Sequence, residues 1–408
     1  MTRRSLILAL ALSGPVAAGA IGGWLAYRAD ALWPEPAIDP ASLRVEPMAR
    51  QIVVDPTRPA WLRYAGGGPY FLCGPGDPEG FLYRGTLRAD GTRDGDQMAL
   101  IHKLAGTGAN SIYLMAVRSH GGDGDETQNP FVDHDPTREL NPALLDQWER
   151  WFTAMDDAGI TIFFFLYDDS ARIWDTGDRV SGAERAFVRA LVNRFKHHKY
   201  LIWVIAEEYE EVYSPRRASR LAAEIRAADE HAHPIAVHKL NGLDFTEFAD
   251  DPFIDQFAIQ FDASGPEALH DGIVRAWRAA RGRYNLNLAE THPTGGRALT
   301  RKRNWAVALG GAYSMVLGMD IASTAVADLE DCGRLARFME ATDFQRMAPH
   351  DELAAADTQY VLAKPGESYI AYASDRSANI GLRDMTAGAY DLTWFDPVTG
   401  ATVELRRI

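Results

Sequence analysis

Between residues 66 and 350, short apolar runs alternate with longer stretches in which apolar side chains recur every three or four positions. These two periods belong to strands and amphipathic helices. Strands are predicted at 70–73, 111–117, 161–167, 201–206, 235–239, 256–260, 284–289 and 312–317. Helices are predicted between them at 141–158, 184–195, 217–229, 266–281 and 299–309. In the first helix Leu144, Leu145, Trp148, Trp151, Phe152 and Met155 share one face. Several strands lack any polar alternation, and Ile162, Phe163, Phe164, Phe165 and Leu166 follow one another without a break. That is the pattern of a parallel sheet covered by helices and filled within. Eight such units over about 280 residues predict an α/β fold, a (β/α)8 TIM barrel, whose usual size is ~250 residues. The alternative is a doubly wound sheet, but Gly74-Pro75-Gly76 lacks the spacing of a dinucleotide fingerprint.

The pattern changes at both ends. Beyond about residue 355, stretches at 360–363, 368–372, 380–382, 390–395 and 402–405 alternate with Gly, Asp and Pro. They predict a small C-terminal antiparallel β-sandwich over 355–408. At the start, Arg3 and Arg4 precede an apolar run from Leu6 to Tyr27. Such a run is a signal peptide cleaved near Ala18-Gly19-Ala20, or an N-terminal membrane anchor, since a spanning helix needs about 20 residues. Either reading implies an exported protein: periplasmic, secreted or attached to a membrane. Pro34, Pro36 and Pro40 form a stiff spacer. The expected layout is therefore leader and spacer over 1–40, barrel over 41–350 and sandwich over 355–408.

Composition narrows the partners. Of 408 residues 47% are hydrophobic and 24% charged, as in a folded soluble chain. Forty-two basic residues face 56 acidic ones, a net charge of -14 with no basic stripe, which argues against nucleic acid. The richest basic run, Arg301-Lys302-Arg303, reads as the exposed start of a helix. Cys73 and Cys332 are too few for a zinc cluster or a disulfide framework, though they could pair. His231-Ala232-His233 precedes a strand, at the wrong end of a barrel for metal-assisted chemistry, and no cofactor or metal is expected. The acidic, glycine-rich loop at 119–141 has calcium-like Asp spacing without the closing Glu.

In a barrel the chemistry sits where strands end. The strand at 201–206 stops in Glu207-Glu208-Tyr209, and the one at 284–289 stops in Glu290-Thr291-His292. A carboxylate at each of two strand ends suits glycoside hydrolysis, in which one carboxyl protonates the leaving oxygen and the other attacks or steadies the anomeric centre. Like charges held ~5 Å apart raise one pKa and so separate the roles. Other strand ends supply Arg118, Asp168, Asp169, His238, Gln260 and His292 as candidate substrate contacts. Sugars present hydroxyls and apolar faces, so Trp203, Trp174 and Tyr209 are candidate platforms, with core packing the competing role for Trp203.

The strings LIWVIAEEYEE (201–211) and YNLNLAETHP (284–293) resemble the fourth- and seventh-strand signatures of clan A glycoside hydrolases, retaining enzymes on (β/α)8 barrels. With YAGGGPYFL (64–72) and WFDPVTG (394–400), the chain is similar to bacterial apiosidase-like barrel proteins, which carry a C-terminal module named for collagen binding. The resemblance implies an oligo- or polysaccharide substrate, Glu290 as nucleophile and Glu208 as general acid/base. Glu207 then stands where the clan has an asparagine that steadies the sugar 2-hydroxyl. The other register makes Glu207 the acid/base. A non-catalytic carbohydrate-binding or scaffold protein with a degenerate site is the alternative function.

Overall fold

The computed structural model describes residues 38–405 apart from 77–78, 241, 264, 292–294, 316–319 and 376–378. The expected leader, through residue 37, and His292 lie outside the described residues. Among the described residues, no helix is long and apolar enough to cross a membrane.

Seven parallel strands form one sheet: Ser111–Val117, Thr161–Tyr167, Leu201–Ala206, Ile235–Lys239, Gln256–Gln260, Asn285–Glu290 and Tyr313–Ser314. Each pairs with its neighbours in sequence, the order produced by winding strand, helix, strand in one sense. The segment predicted as the first strand is not a regular strand, yet it joins the two edges of the sheet. Ser314 N donates to Leu72 O (3.2 Å) and Gly74 N to Ser314 O (3.1 Å), while Asn110 N donates to Cys73 O (3.0 Å). The Asn110 side chain accepts from Cys73 N at 2.8 Å and donates to Phe71 O at 2.9 Å. The sheet is thus curled until both edges meet one irregular stave. Pro75 lacks a donor for a longer ladder, and Gly74 lies so close to Ser111 that a Cβ would fall 2.3 Å from its Oγ.

The five predicted helices appear at Pro142–Asp157, Gly182–Phe195, Pro215–Ala228, Pro266–Ala280 and Arg297–Gly310, joined by Gln97–Ala105 and Val326–Glu340. Their starts follow from local chemistry. The side chains of Asn141, Ser181 and Ser214 accept backbone N–H groups of the first turn, and Pro142 and Pro215 begin their helices. The basic run is not the start of a helix, because its helix begins at Arg297. Arg301 and Lys302 instead pair with Asp331 and Asp375, and Arg303 is buried.

Two aromatic layers make the core. Tyr113 and Phe165 lie 4.2 Å apart within the curl of the sheet. Phe164 points the other way, onto Phe152 (5.2 Å) of a covering helix and Trp203 (5.8 Å). Cys73 and Cys332 are buried free thiols.

After residue 347 the chain forms small antiparallel sheets. Tyr360–Lys364 pairs with Ala348–Pro349 and Ser368–Tyr372, Ala354–Ala356 with Ile380–Leu382, and Leu392–Phe395 with Thr402–Leu405. They lean on the last two helices through aromatic contacts. Trp305 stacks on Tyr372 at 5.1 Å with 3° between planes, and Phe338 meets Phe395 at 4.6 Å. Trp305 is 3% exposed. Trp305→Ala is expected to destabilise the protein by about 3–5 kcal/mol in chemical denaturation, with the C-terminal sheets becoming protease-sensitive first. A loss below about 1 kcal/mol would show that this contact does not hold the sheets in place.

Candidate active site

Carboxyl groups collect at the carboxyl ends of the parallel strands. Glu290 ends Asn285–Glu290, Glu207 and Glu208 follow Leu201–Ala206, and Asp168 and Asp169 follow Thr161–Tyr167. Glu290 adds to the charge felt by Glu208, Glu79 and Tyr113, so these side chains share one electrostatic neighbourhood.

His238 links the two glutamates of the proposed pair. It is fully buried near the end of Ile235–Lys239. Its Nδ1 accepts the backbone N–H of Glu208 at 3.1 Å, which puts the proton of a neutral ring on Nε2. That Nε2 lies 3.7 Å from Glu290 Oε2. Burial lowers the pKa of His238 to about 3, so the ring is neutral at physiological pH. It presents a polar N–H edge to Glu290 without adding charge.

Glu208 occupies a left-handed backbone conformation (φ 40°, ψ 48°), which costs a non-glycine residue roughly 1–2 kcal/mol. The bond to His238 holds that turn, and Gln260 Nε2 donates to Glu208 Oε1 at 2.8 Å. Half-burial, opposed by the Gln260 bond and aided by the charge of Glu290, raises Glu208 to about 7. A carboxyl so poised can hold a proton at neutral pH and still release it, as a general acid/base requires.

Glu207 differs in every respect. It is buried, and Tyr113 Oη donates to its Oε1 at 2.6 Å. Burial and a hydrogen bond to Asp168 push its pKa far up, so Glu207 carries the proton and donates to Asp168. Asp168 also accepts from Arg118 Nε (2.8 Å), Asp123 N (3.2 Å) and its neighbour Asp169 N (3.0 Å). Arg118 reaches across to Glu79 Oε2 at 2.9 Å. Burial raises Glu79 and Asp169 to about 7 each.

Two sets of carboxylates here, Asp168–Asp169–Glu207 and Asp169–Glu208–Glu211, bring oxygens within 4.8 Å of one another and could offer them to a hard cation. The raised pKa values describe the same crowding relieved by protons.

No protein-family model matches the chain, and no curated protein matches it in sequence. Solved structures do. A glycoside hydrolase family 5 protein from Bacteroides vulgatus superposes with a TM-score of 0.65 at 15% identity, covering 88% of this chain and 87% of that one. A protein described as a glycoside hydrolase gives 0.65 at 13% identity, covering 89% and 93%. This chain has their fold.

Two of the expected aromatic platforms are corrected by the geometry, whereas Trp174 is only partly buried, packing on Phe131 and Phe187. Trp203 is fully buried, with Nε1 donating to Asp229 Oδ2 at 3.2 Å behind the sheet, so it is core. Tyr209 is 2% exposed; its hydroxyl donates to Glu247 Oε1 and its ring packs on Phe248. Neither ring offers an open face to a sugar. His233 is likewise structural, with Nδ1 2.9 Å from Asp229 Oδ2. Glu208, Glu290, His238 and Gln260 are brought together, and Glu207, Asp168 and Arg118 form the adjoining network.

Glu79 and Tyr113 escaped the sequence reading. Glu79 lies in the loop after the irregular stave, where the strand-end rule could have found it. Tyr113 lies mid-strand, where a tyrosine reads as core until its hydroxyl is seen on Glu207.

Because Glu207 binds its proton more tightly when folded, its contribution to stability is present below the ordinary glutamate pKa of 4.5 and is lost as pH rises above it. Unfolding measured from pH 5 to 8 should therefore show wild-type stability falling more steeply than that of Glu207→Gln, which keeps a neutral donor. Parallel curves would mean that Glu207 is ionised in the folded protein.

Proposed function

We propose that this chain is an exported glycoside hydrolase of the retaining type, built on a (β/α)8 barrel whose first stave is irregular, with the C-terminal sheets forming a β-sandwich packed against it. Its substrate is an oligo- or polysaccharide. The observation that carries the reading is the placement of Glu208 and Glu290 at two strand ends on either side of neutral His238, with Glu208 at about 7. The fold shared with glycoside hydrolases supports it, and export rests on Arg3-Arg4 and the apolar run behind them.

In the proposed reaction Glu290 attacks the anomeric carbon while protonated Glu208 donates to the departing oxygen. Water then cleaves the glycosyl-enzyme with Glu208 as base. The His238 Nε2–H edge steadies the Glu290 carboxylate before attack. Arg118, Asp168 and Asp169 border this centre, and the protonated carboxyl of Glu207 takes the place of an amide. That replacement favours one other reading, a carbohydrate-binding protein with a degenerate site.

A screen of aryl glycosides and polysaccharides separates these readings. kcat/KM should fall as pH rises through about 7, with Glu208 losing its proton. Glu208→Gln should lose roughly 10²–10⁴-fold on substrates with poor leaving groups and far less on activated ones. Glu290→Gln should be inactive on both. Turnover that survives Glu290→Gln removes it as nucleophile. The leaving-group signature appearing in Glu207→Gln would transfer the acid/base role to Glu207.

A further inference from the structure

At the other end of the sheet, a second group of side chains converges. Glu149 lies midway along Pro142–Asp157 and faces the turn between Gly182–Phe195 and Leu201–Ala206, which carries His197 and His198. His197 Nε2 is 2.8 Å and His198 Nε2 3.2 Å from the same oxygen, Glu149 Oε1. The turn is pinned. Asp156 Oδ1 accepts from Lys199 N (2.6 Å) and Tyr200 N (2.8 Å), and His198 O lies 2.7 Å from His233 Nε2.

Hydrogen bonding leaves this group unfinished. His198 is 2% exposed, and its Nε2 has no hydrogen-bond partner although it points at Glu149. Glu149 Oε2 and Arg194 Nε beside it meet only as an ion pair at 3.4 Å, outside hydrogen-bond geometry. A buried polar atom without a hydrogen bond costs about 1–3 kcal/mol, so native structures rarely leave one such as His198 Nε2 without a reason.

We propose that Glu149, His197 and His198 bind a divalent transition metal of the zinc class. Two imidazole nitrogens and one carboxylate oxygen are the donors such ions favour. An ion about 2.05 Å from each donor would subtend about 86° at the 2.8 Å pair and about 103° at the 3.2 Å pair, angles open to tetrahedral or octahedral coordination. His197 is half exposed, which gives an ion a way in and leaves room for water as a further ligand. Arg194 sits 3.4 Å from Glu149 Oε2 but also holds Asp146 at 2.8 Å, so it can release Glu149 without being left unpaired. Bound metal would tie the Pro142–Asp157 helix to the turn before Leu201–Ala206, away from the carboxyl cluster.

The test is calorimetric titration of the untagged protein with zinc chloride, with magnesium and calcium as hard-cation controls. Expected is one saturable zinc site, no response to magnesium or calcium, and a zinc-dependent rise in melting temperature. His197→Ala changes an exposed side chain and should fold normally while weakening zinc roughly tenfold or more. Glu149→Gln should do the same. An anomalous difference peak among the three side chains in a zinc-soaked crystal would fix the place. Absence of saturable binding, unchanged affinity in His197→Ala, or a peak elsewhere would overturn the proposal.

Discussion

A parallel sheet covered on both faces leaves no wet position along its strands, and this constraint shapes everything else in the molecule. Ser111–Val117, Thr161–Tyr167 and Leu201–Ala206 are buried from end to end. Along the later strands the buried polar side chains are mostly neutral amides that bond within the sheet, as Gln256 does to Asn285 at 2.6 Å. An ionised carboxylate in such surroundings would cost far more than one hydrogen bond returns. Carboxylates therefore appear at the very ends of the strands or just beyond them, at Glu290 and at Asp168, Glu207 and Glu208. The curl of the sheet then brings residues from distant parts of the chain to one mouth.

Crowding at that mouth is balanced mainly by protons. One guanidinium, Arg118, bridges Asp168 and Glu79, too little positive charge for the carboxyls around it. Burial and mutual repulsion raise Asp169, Glu79 and Glu208 to about 7 and hold Glu207 protonated. Glu207 and Glu208 show how local this effect is. They are adjacent in sequence, yet one is enclosed by Tyr113 and Asp168 and the other stands half exposed under Gln260. A left-handed turn at Glu208 separates their surroundings.

The same folding pattern explains why histidines divide between the two ends. His238, at a strand's carboxyl end, is neutral and placed between the Glu208 backbone N–H and the Glu290 carboxyl. His198 and His233 lie before strands, where His233 anchors a turn through Asp229 and His198 faces Glu149. Position along the strand–helix repeat, more than residue type, decides what each imidazole can do.

Much of this was legible in the residues themselves. Strand and helix periods, capping side chains and strand-end carboxylates depend on near neighbours in sequence, so the parallel sheet, five helices and Glu207, Glu208 and Glu290 could be read directly. The first strand could not, because its pairing depends on two edges that meet only when the sheet curls, and the proline and glycines around it break the ladder. Trp203 and Tyr209 carry the chemistry of sugar platforms, but only packing shows them buried. Tyr113 and Glu79 gain their importance from partners 94 and 39 residues away, Glu207 and Arg118 respectively. Sequence determined which side chains stand at the strand ends; the tertiary structure decided which of them keep their protons, because burial and the distance between charges arise only when the chain closes on itself.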